Sequence, residues 1–82
     1  MAATRQDIEE WFREGVRAGQ THLIVMCDMF AHEDFPVYVA PGNSPRDVAK
    51  EHTKATAQRP TEVYNLKMDM EEQFNSKRAK DY

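Results

Sequence analysis

The sequence predicts a small α+β domain in the order αββαβα, with helices packed on a three-stranded, mainly antiparallel sheet. Two dense apolar runs, Leu23-Ile24-Val25-Met26 and Val37-Tyr38-Val39, stand out from an otherwise polar chain. A short acidic connection joins them, which is the pattern of a hairpin. Upstream, Ile8, Trp11, Phe12 and Val16 recur at the helical period. Downstream, Thr61 to Met68 (TEVYNLKM) has the composition of a third strand.

The first helix is expected over Thr4 to Ala18. Thr4 can cap its first turn, Asp7 sits three residues on in the capping-box position, and Gly19 suits a left-handed stop. Gly15 and Gly19 are four apart, and in a soluble helix this spacing implies fraying or close packing. The first strand is apolar on both faces, Leu23/Val25/Cys27/Met29 and Ile24/Met26, with His22 and Asp28 in register with the second set. Such a strand is central or covered on both sides. The second strand, Phe35 to Ala40, holds Pro36, which suits a strand's first residue or an edge.

Pro41-Gly42-Asn43 is a turn, and Ser44-Pro45-Arg46-Asp47 then reads as cap, first helical proline and acid. The helix it opens, to about Thr56, is weakly apolar (Val48, Ala49, His52, Ala55) and is expected on the surface against one sheet edge. Gln58-Arg59-Pro60 reads as a break, with Arg59 held extended by the proline after it. Asp69 caps a last helix, with Glu72 three residues on and Met70/Phe74 as its short apolar stripe. The basic tail 77–82 is expected to fray.

All 82 residues fit one domain with a thin core. A chain of this size buries only ~60 to 65% of the surface its unfolded form exposes. A stability of a few kcal/mol is expected, and self-association is one way to add to it. The three-stranded sheet leaves two edges to be covered or paired, a second reason to expect a homo-oligomer. No apolar run approaches the ~18 to 20 residues that span a bilayer, so no membrane is expected as a partner. The opening MAATRQDIEEW has no apolar h-region, and Cys27 is a lone cysteine, which fits a reducing, cytoplasmic setting. A net charge of -3 repels a phosphate backbone, which argues against duplex nucleic acid. It leaves room for a small phosphorylated ligand held by two or three local donors.

Three constellations invite chemistry. Asp28, His32, Glu33 and Asp34 offer oxygen and imidazole ligands, but their spacing matches no metal motif, and acidic hairpin tips are ordinarily solvated. Cys27 can be paired with His32 or His52 for nucleophilic catalysis, whereas His22 points to the opposite face of the same strand. His22 and Asp28 share a face but lie roughly 20 Å apart along an extended strand. No Gly-rich phosphate loop, nucleophile elbow or HExxH is present, so no enzyme, cofactor or metal is expected. A binding site is easier to assemble. Tyr38 and Tyr64, with Trp11 near them, can stack on a planar group, while Arg46, Arg59 and the amides after Ser44 can hold an anion. The plain alternatives are a core tryptophan, half-buried sheet tyrosines and solvated arginines. The Asn43–Arg46 turn and the Arg59 segment flank the same two strands, so a shared groove is expected.

The pattern DIEEWFREGVRAGQTHLIVMCDMF, then FPVYV, then EVYNLKMDMEEQ resembles a family of short bacterial and bacteriophage proteins of mostly unassigned function. That family runs D-I-x-x-W/L, G-x-T-H-x-I-V-x-C-D, Y/F-P-V-Y/F-V and E-V-Y-x-L-x-M. The match covers Thr4 to about Gln73, with Phe35 in the aromatic slot before the proline. The resemblance implies a phage counter-defence protein: a small oligomer that sequesters a nucleotide-like immune signal in the host cytoplasm. Thr21, His22, Asp28, Tyr38, Arg46, Arg59 and Tyr64 are then the expected ligand contacts. The alternative is a protein-interaction module that docks a host or phage protein through an edge strand or the Met70/Phe74 helix.

Overall fold

A computed structural model describes residues 3–55 and 58–75. The elements are α1 (Arg5–Arg17), β1 (His22–Asp28), β2 (Glu33–Val39), α2 (Pro45–Ala55), β3 (Gln58–Asn65) and α3 (Met70–Asn75). They form a compact α+β domain whose antiparallel sheet has the order β2-β1-β3. The basic tail and the expected helix end at Thr56 lie outside the described residues.

β1 is central because it is apolar on both sides, and each side has its own helical cover. Leu23 and Val25 join Ile8, Phe12, Tyr64 and Leu66 in one cluster, with Trp11, Tyr38, Met70 and Phe74 packed around it. Ile24 and Met26 join Val39, Ala49 and Val63 in the other, with Phe35, Val37 and Val48 around it. Each fully buried side chain of this size contributes about 1.5 to 3 kcal/mol.

α1 begins at the expected capping box. Thr4 Oγ1 accepts from the Asp7 amide, and the Asp7 carboxylate accepts from the Thr4 amide, both at 3.1 Å. It ends at Gly19 (φ 73°), where the Gln20 amide reaches the Gly15 carbonyl at 3.0 Å and the Gly19 amide reaches Val16 at 3.1 Å. This is the Schellman arrangement, and it needs the left-handed residue that glycine supplies. Gly15 lets the helix lie close to the sheet: a Cβ built there falls 2.6 Å from Leu66 Cδ1 and 2.9 Å from Tyr38 Cε1. Of the two readings of this spacing, close packing is the one that holds at Gly15.

Both edge strands carry a proline, and this shifts two expected boundaries. β2 starts at Glu33, so Pro36 stands mid-strand opposite Val25 and is not its first residue. The Val39 carbonyl accepts from the Thr21 amide at 2.8 Å, so Phe35, Val37 and Val39 turn their backbone groups toward β1. Pro36 therefore faces outward, where no donor is needed. Gln58-Arg59-Pro60 is likewise no break but the start of β3, which runs to Asn65 and stops short of Met68. Pro60 pairs with Met26 beside a register shift at Val25/Met26, and the Thr61 hydroxyl donates to the Val25 carbonyl at 3.0 Å. Prolines on both edges remove donors that an added strand would use, which weakens the case for docking by strand addition.

α2 lies mainly against the edge strand β3, as expected, and reaches over the second face toward β1, with the small side chain of Ala49 only 4% exposed against Ile24 and Val63. α3 is a short helix capped by Asp69, whose carboxylate accepts from the Glu72 amide at 3.2 Å. Gln73 pins it to the end of β3, accepting from the Asn65 amide and donating to the Asn65 carbonyl, each at 2.7 Å. The Phe74 ring meets Tyr64 at 5.1 Å and Phe12 at 6.3 Å, edge on. The apolar stripe of the last helix is therefore spent on the core.

Candidate functional site

The seven expected contacts do not converge. Thr21 and His22 lie where β1 starts: the Thr21 hydroxyl donates to the Val39 carbonyl at 3.2 Å, and His22 Nδ1 sits 3.1 Å from that hydroxyl. Asp28 lies at the other end of the seven-residue strand. Its Oδ1 accepts from the Phe30 and Ala31 amides at 2.9 and 3.2 Å, so it shapes the hairpin loop. Arg59 pairs in register with Cys27 near that same end. Tyr38 and Tyr64 flank Leu23 on the α1 face, and Arg46 is on α2 across the sheet. A groove shared by Arg46 and the tyrosines is excluded, because the sheet stands between them.

The tyrosines serve packing. Tyr38 is half-buried with its hydroxyl donating to the Trp11 carbonyl at 2.8 Å, which straps β2 to α1. Tyr64 is buried with its hydroxyl donating to the Glu62 carboxylate. Burial first, and then the bond to Glu62, raise the Tyr64 phenol well above its ordinary value of 10.0. Burial and the charge of Glu14 raise Tyr38 in the same direction. A raised phenol pKa favours the protonated folded form. Stability is therefore held below the ordinary tyrosine value and lost as pH rises beyond it. Absorbance titration should show both residues ionising later than free tyrosine, with the later component gone in Tyr64→Phe.

Neither the metal set nor the Cys27–His52 pair is assembled among the described residues. Among the described residues, no group of three or more His, Cys, Asp or Glu side chains is placed to hold a metal. Asp28 is tied into its loop, and Asp34 accepts from the Ala3 amide at 2.9 Å. By strand alternation Cys27 lies on the α1 face, while His52 is on α2, across the sheet.

What the fold does assemble is a groove between α2 and β3. It has a volume of about 620 Å³ and is lined by Arg46, Ala49, Lys50, Thr53, Lys54 and Pro60. Arg46, Lys50 and Lys54 are spaced by four, one stripe along the helix, so their charges fall in a row spanning roughly 12 Å of axis. No carboxylate is among the lining side chains. Ala49 and Pro60 give the groove an apolar floor, and the Thr53 hydroxyl is turned onto the Ala49 carbonyl at 2.8 Å. Of these residues, sequence reasoning named only Arg46 as a contact. Lys50 and Lys54 were signalled by the spacing of basic residues along the helix.

The chain matches no protein-family model, no curated protein and no solved structure. No helix among the described residues is long and apolar enough to cross a membrane.

Proposed function

We propose that the protein is a non-enzymatic binder of a small polyanion bearing phosphate groups, held in the α2/β3 groove. The observation that carries this is the row Arg46, Lys50 and Lys54 facing one cavity whose lining holds no acid. Arg46 offers a planar, forked set of donors suited to two oxygens of one phosphate, and the lysines add point charges further along. The one hydroxyl in the lining, on Thr53, is engaged with the Ala49 carbonyl, which favours holding a ligand over transforming it.

Sequestration of a nucleotide-like signal, the role implied by the resemblance, requires phosphate recognition of this kind. No aromatic side chain lines the groove, so affinity is expected to come from the anionic groups and little from stacking on a base. Because the cations are exposed, binding should weaken as salt shortens the ~10 Å screening length of 0.1 M solutions.

Isothermal titration at low ionic strength, with ATP, pyrophosphate and adenosine as probes, tests this. ATP and pyrophosphate should bind and adenosine should not. Lys50→Glu with Lys54→Glu should lower the affinity by about tenfold or more, since contacts to charged groups are worth about 1.5 to 3 kcal/mol before solvent screening. Equal affinity in the double variant, or no binding of either polyanion, would remove the proposal.

A further inference from the structure

The cations of the α2/β3 groove are laid out along an axis and not gathered to a point. Arg46, Lys50 and Lys54 follow one another at one helical turn, ~5.4 Å of axis each, and all three are exposed in the lining of one groove. The lysine charges are not spent within the chain. The ion pairs of α1 occupy Arg5, Arg13 and Arg17 with Glu9 and Glu14, whereas Lys50 and Lys54 take part in no ion pair among the described residues. Beneath the row the groove is apolar, from Ala49 on the helix and Pro60 on β3. Pro60 has no amide hydrogen to offer a ligand, and the Thr53 hydroxyl donates to the Ala49 carbonyl at 2.8 Å. Recognition here is ionic along one side and apolar below.

Phosphate groups reach the whole row only if they are held apart. Contiguous phosphates, as in pyrophosphate or a nucleoside triphosphate, share bridging oxygens and form a compact head. That head meets two neighbouring cations and leaves the third. Phosphates joined through sugars are spaced more widely, ~3.4 Å of axis each in the coiled strand of a duplex and further when a single strand is drawn out. An extended strand can therefore set one phosphate on each turn of α2. A duplex brings two strands of phosphates against a net charge of -3, whereas a single strand meets the local row alone.

We infer that the ligand of this groove is a short single-stranded oligonucleotide, bound through three successive phosphates, one to each of Arg46, Lys50 and Lys54. The inference rests on the phosphate-binding reading of the groove and narrows it to polyanions whose phosphates are separated by sugars. The sugars lie over the apolar floor of Ala49 and Pro60. No aromatic side chain lines the groove, so the bases make no stacking contact there and their identity has little effect on affinity.

Isothermal titration at low ionic strength tests this with 5′-phosphorylated trithymidylate and inorganic tripolyphosphate. Each carries three phosphates, separated by sugars in the first and contiguous in the second. The trinucleotide should bind several-fold more tightly, since it alone reaches all three cations. Substituting the middle and the end of the row separates the two modes. Lys50→Gln and Lys54→Gln should weaken the trinucleotide to a similar degree. Tripolyphosphate should lose affinity in Lys50→Gln but little in Lys54→Gln, because it can move to the Arg46–Lys50 pair. Both lysines are in solvent, so both variants should remain folded by circular dichroism. Tripolyphosphate binding as tightly as the trinucleotide, or a trinucleotide insensitive to Lys54→Gln, would overturn the inference and leave the phosphate-binding reading standing. Binding of neither ligand would remove both.

Discussion

Leu23→Ala should cost about 3 to 4 kcal/mol, within the range for removing a buried leucine side chain. Leu23 is 0% exposed and stands between its register partners Tyr38 and Tyr64 on the α1 face. How far the cavity collapses decides the cost, and these neighbours are not free to move in. Tyr38 is tied by its hydroxyl to the Trp11 carbonyl, and Tyr64 to Glu62. The cavity should therefore persist. A domain of this length has a stability of only about 4 to 12 kcal/mol, so the loss is a large fraction of the whole. Urea unfolding provides the measurement. The midpoint should fall sharply at an unchanged slope, while Phe30→Ala, at an exposed position, leaves it in place. A loss below about 1 kcal/mol would mean that this face is packed far more loosely than the burial of Leu23 implies.

How much of this was legible in the chain depends on how many independent signals met at each element. α1 had three: a period, a cap and a glycine stop. The cap and the stop are found where the sequence places them, while the buried stripe runs through Ile8, Phe12 and Gly15 and leaves Val16 51% exposed. β1 was legible because two apolar faces in one strand require cover on both, and the sheet order places it in the centre. Pro60 reads locally as a break, yet β3 runs through it from Gln58 to Asn65. A proline excludes a central strand but not an edge, and which strand is the edge is a property of the sheet, not of the segment. The weakly apolar α2 reads as a helix against one sheet edge, and it does lie mainly against the edge strand β3. Ala49 is buried through close approach of the helix, which its small size permits and its hydropathy does not reveal.

The site was less legible for a related reason. Arg46, Arg59, Tyr38 and Tyr64 were grouped by residue type and by flanking the same strands, and a strand has two faces. Once α2 crossed to the second face, Arg46 went with it and the tyrosines did not. Lys50 and Lys54 follow Arg46 at the helical repeat, so the cationic stripe was present in the sequence. Its meaning depends on Pro60 lying across from it, which fits the groove expected between the Arg46 turn and the Arg59 segment, although Arg59 itself is not in the lining. Phe30 shows the limit. A single aromatic in a short loop reads the same whether it folds inward or stands 84% exposed.

Gly15 gives a prediction whose sign separates helix propensity from packing. In an exposed helix, Gly→Ala stabilises by about 0.5 to 1 kcal/mol, because alanine loses less backbone freedom. Gly15 is buried, and a methyl group there falls 2.6 Å from Leu66 Cδ1 and 2.9 Å from the Tyr38 ring. Leu66 can yield in part through its side-chain rotamer. Tyr38 cannot, because its hydroxyl is bonded to the Trp11 carbonyl of the same helix, so the ring and the helix would have to separate together. Overpacking of this kind costs about 1 to 3 kcal/mol. The net expectation is that Gly15→Ala destabilises by about 1 kcal/mol and Gly15→Val by about 3, a steady fall with size where propensity alone predicts a rise at the first step. Trimming the obstructing atom supplies the control. Combining Gly15→Ala with Leu66→Val should lose less than the sum of the two single changes, since both act on one contact. A stabilising Gly15→Ala would mean that α1 rides higher on the sheet, and that Gly15 is helical filler after all.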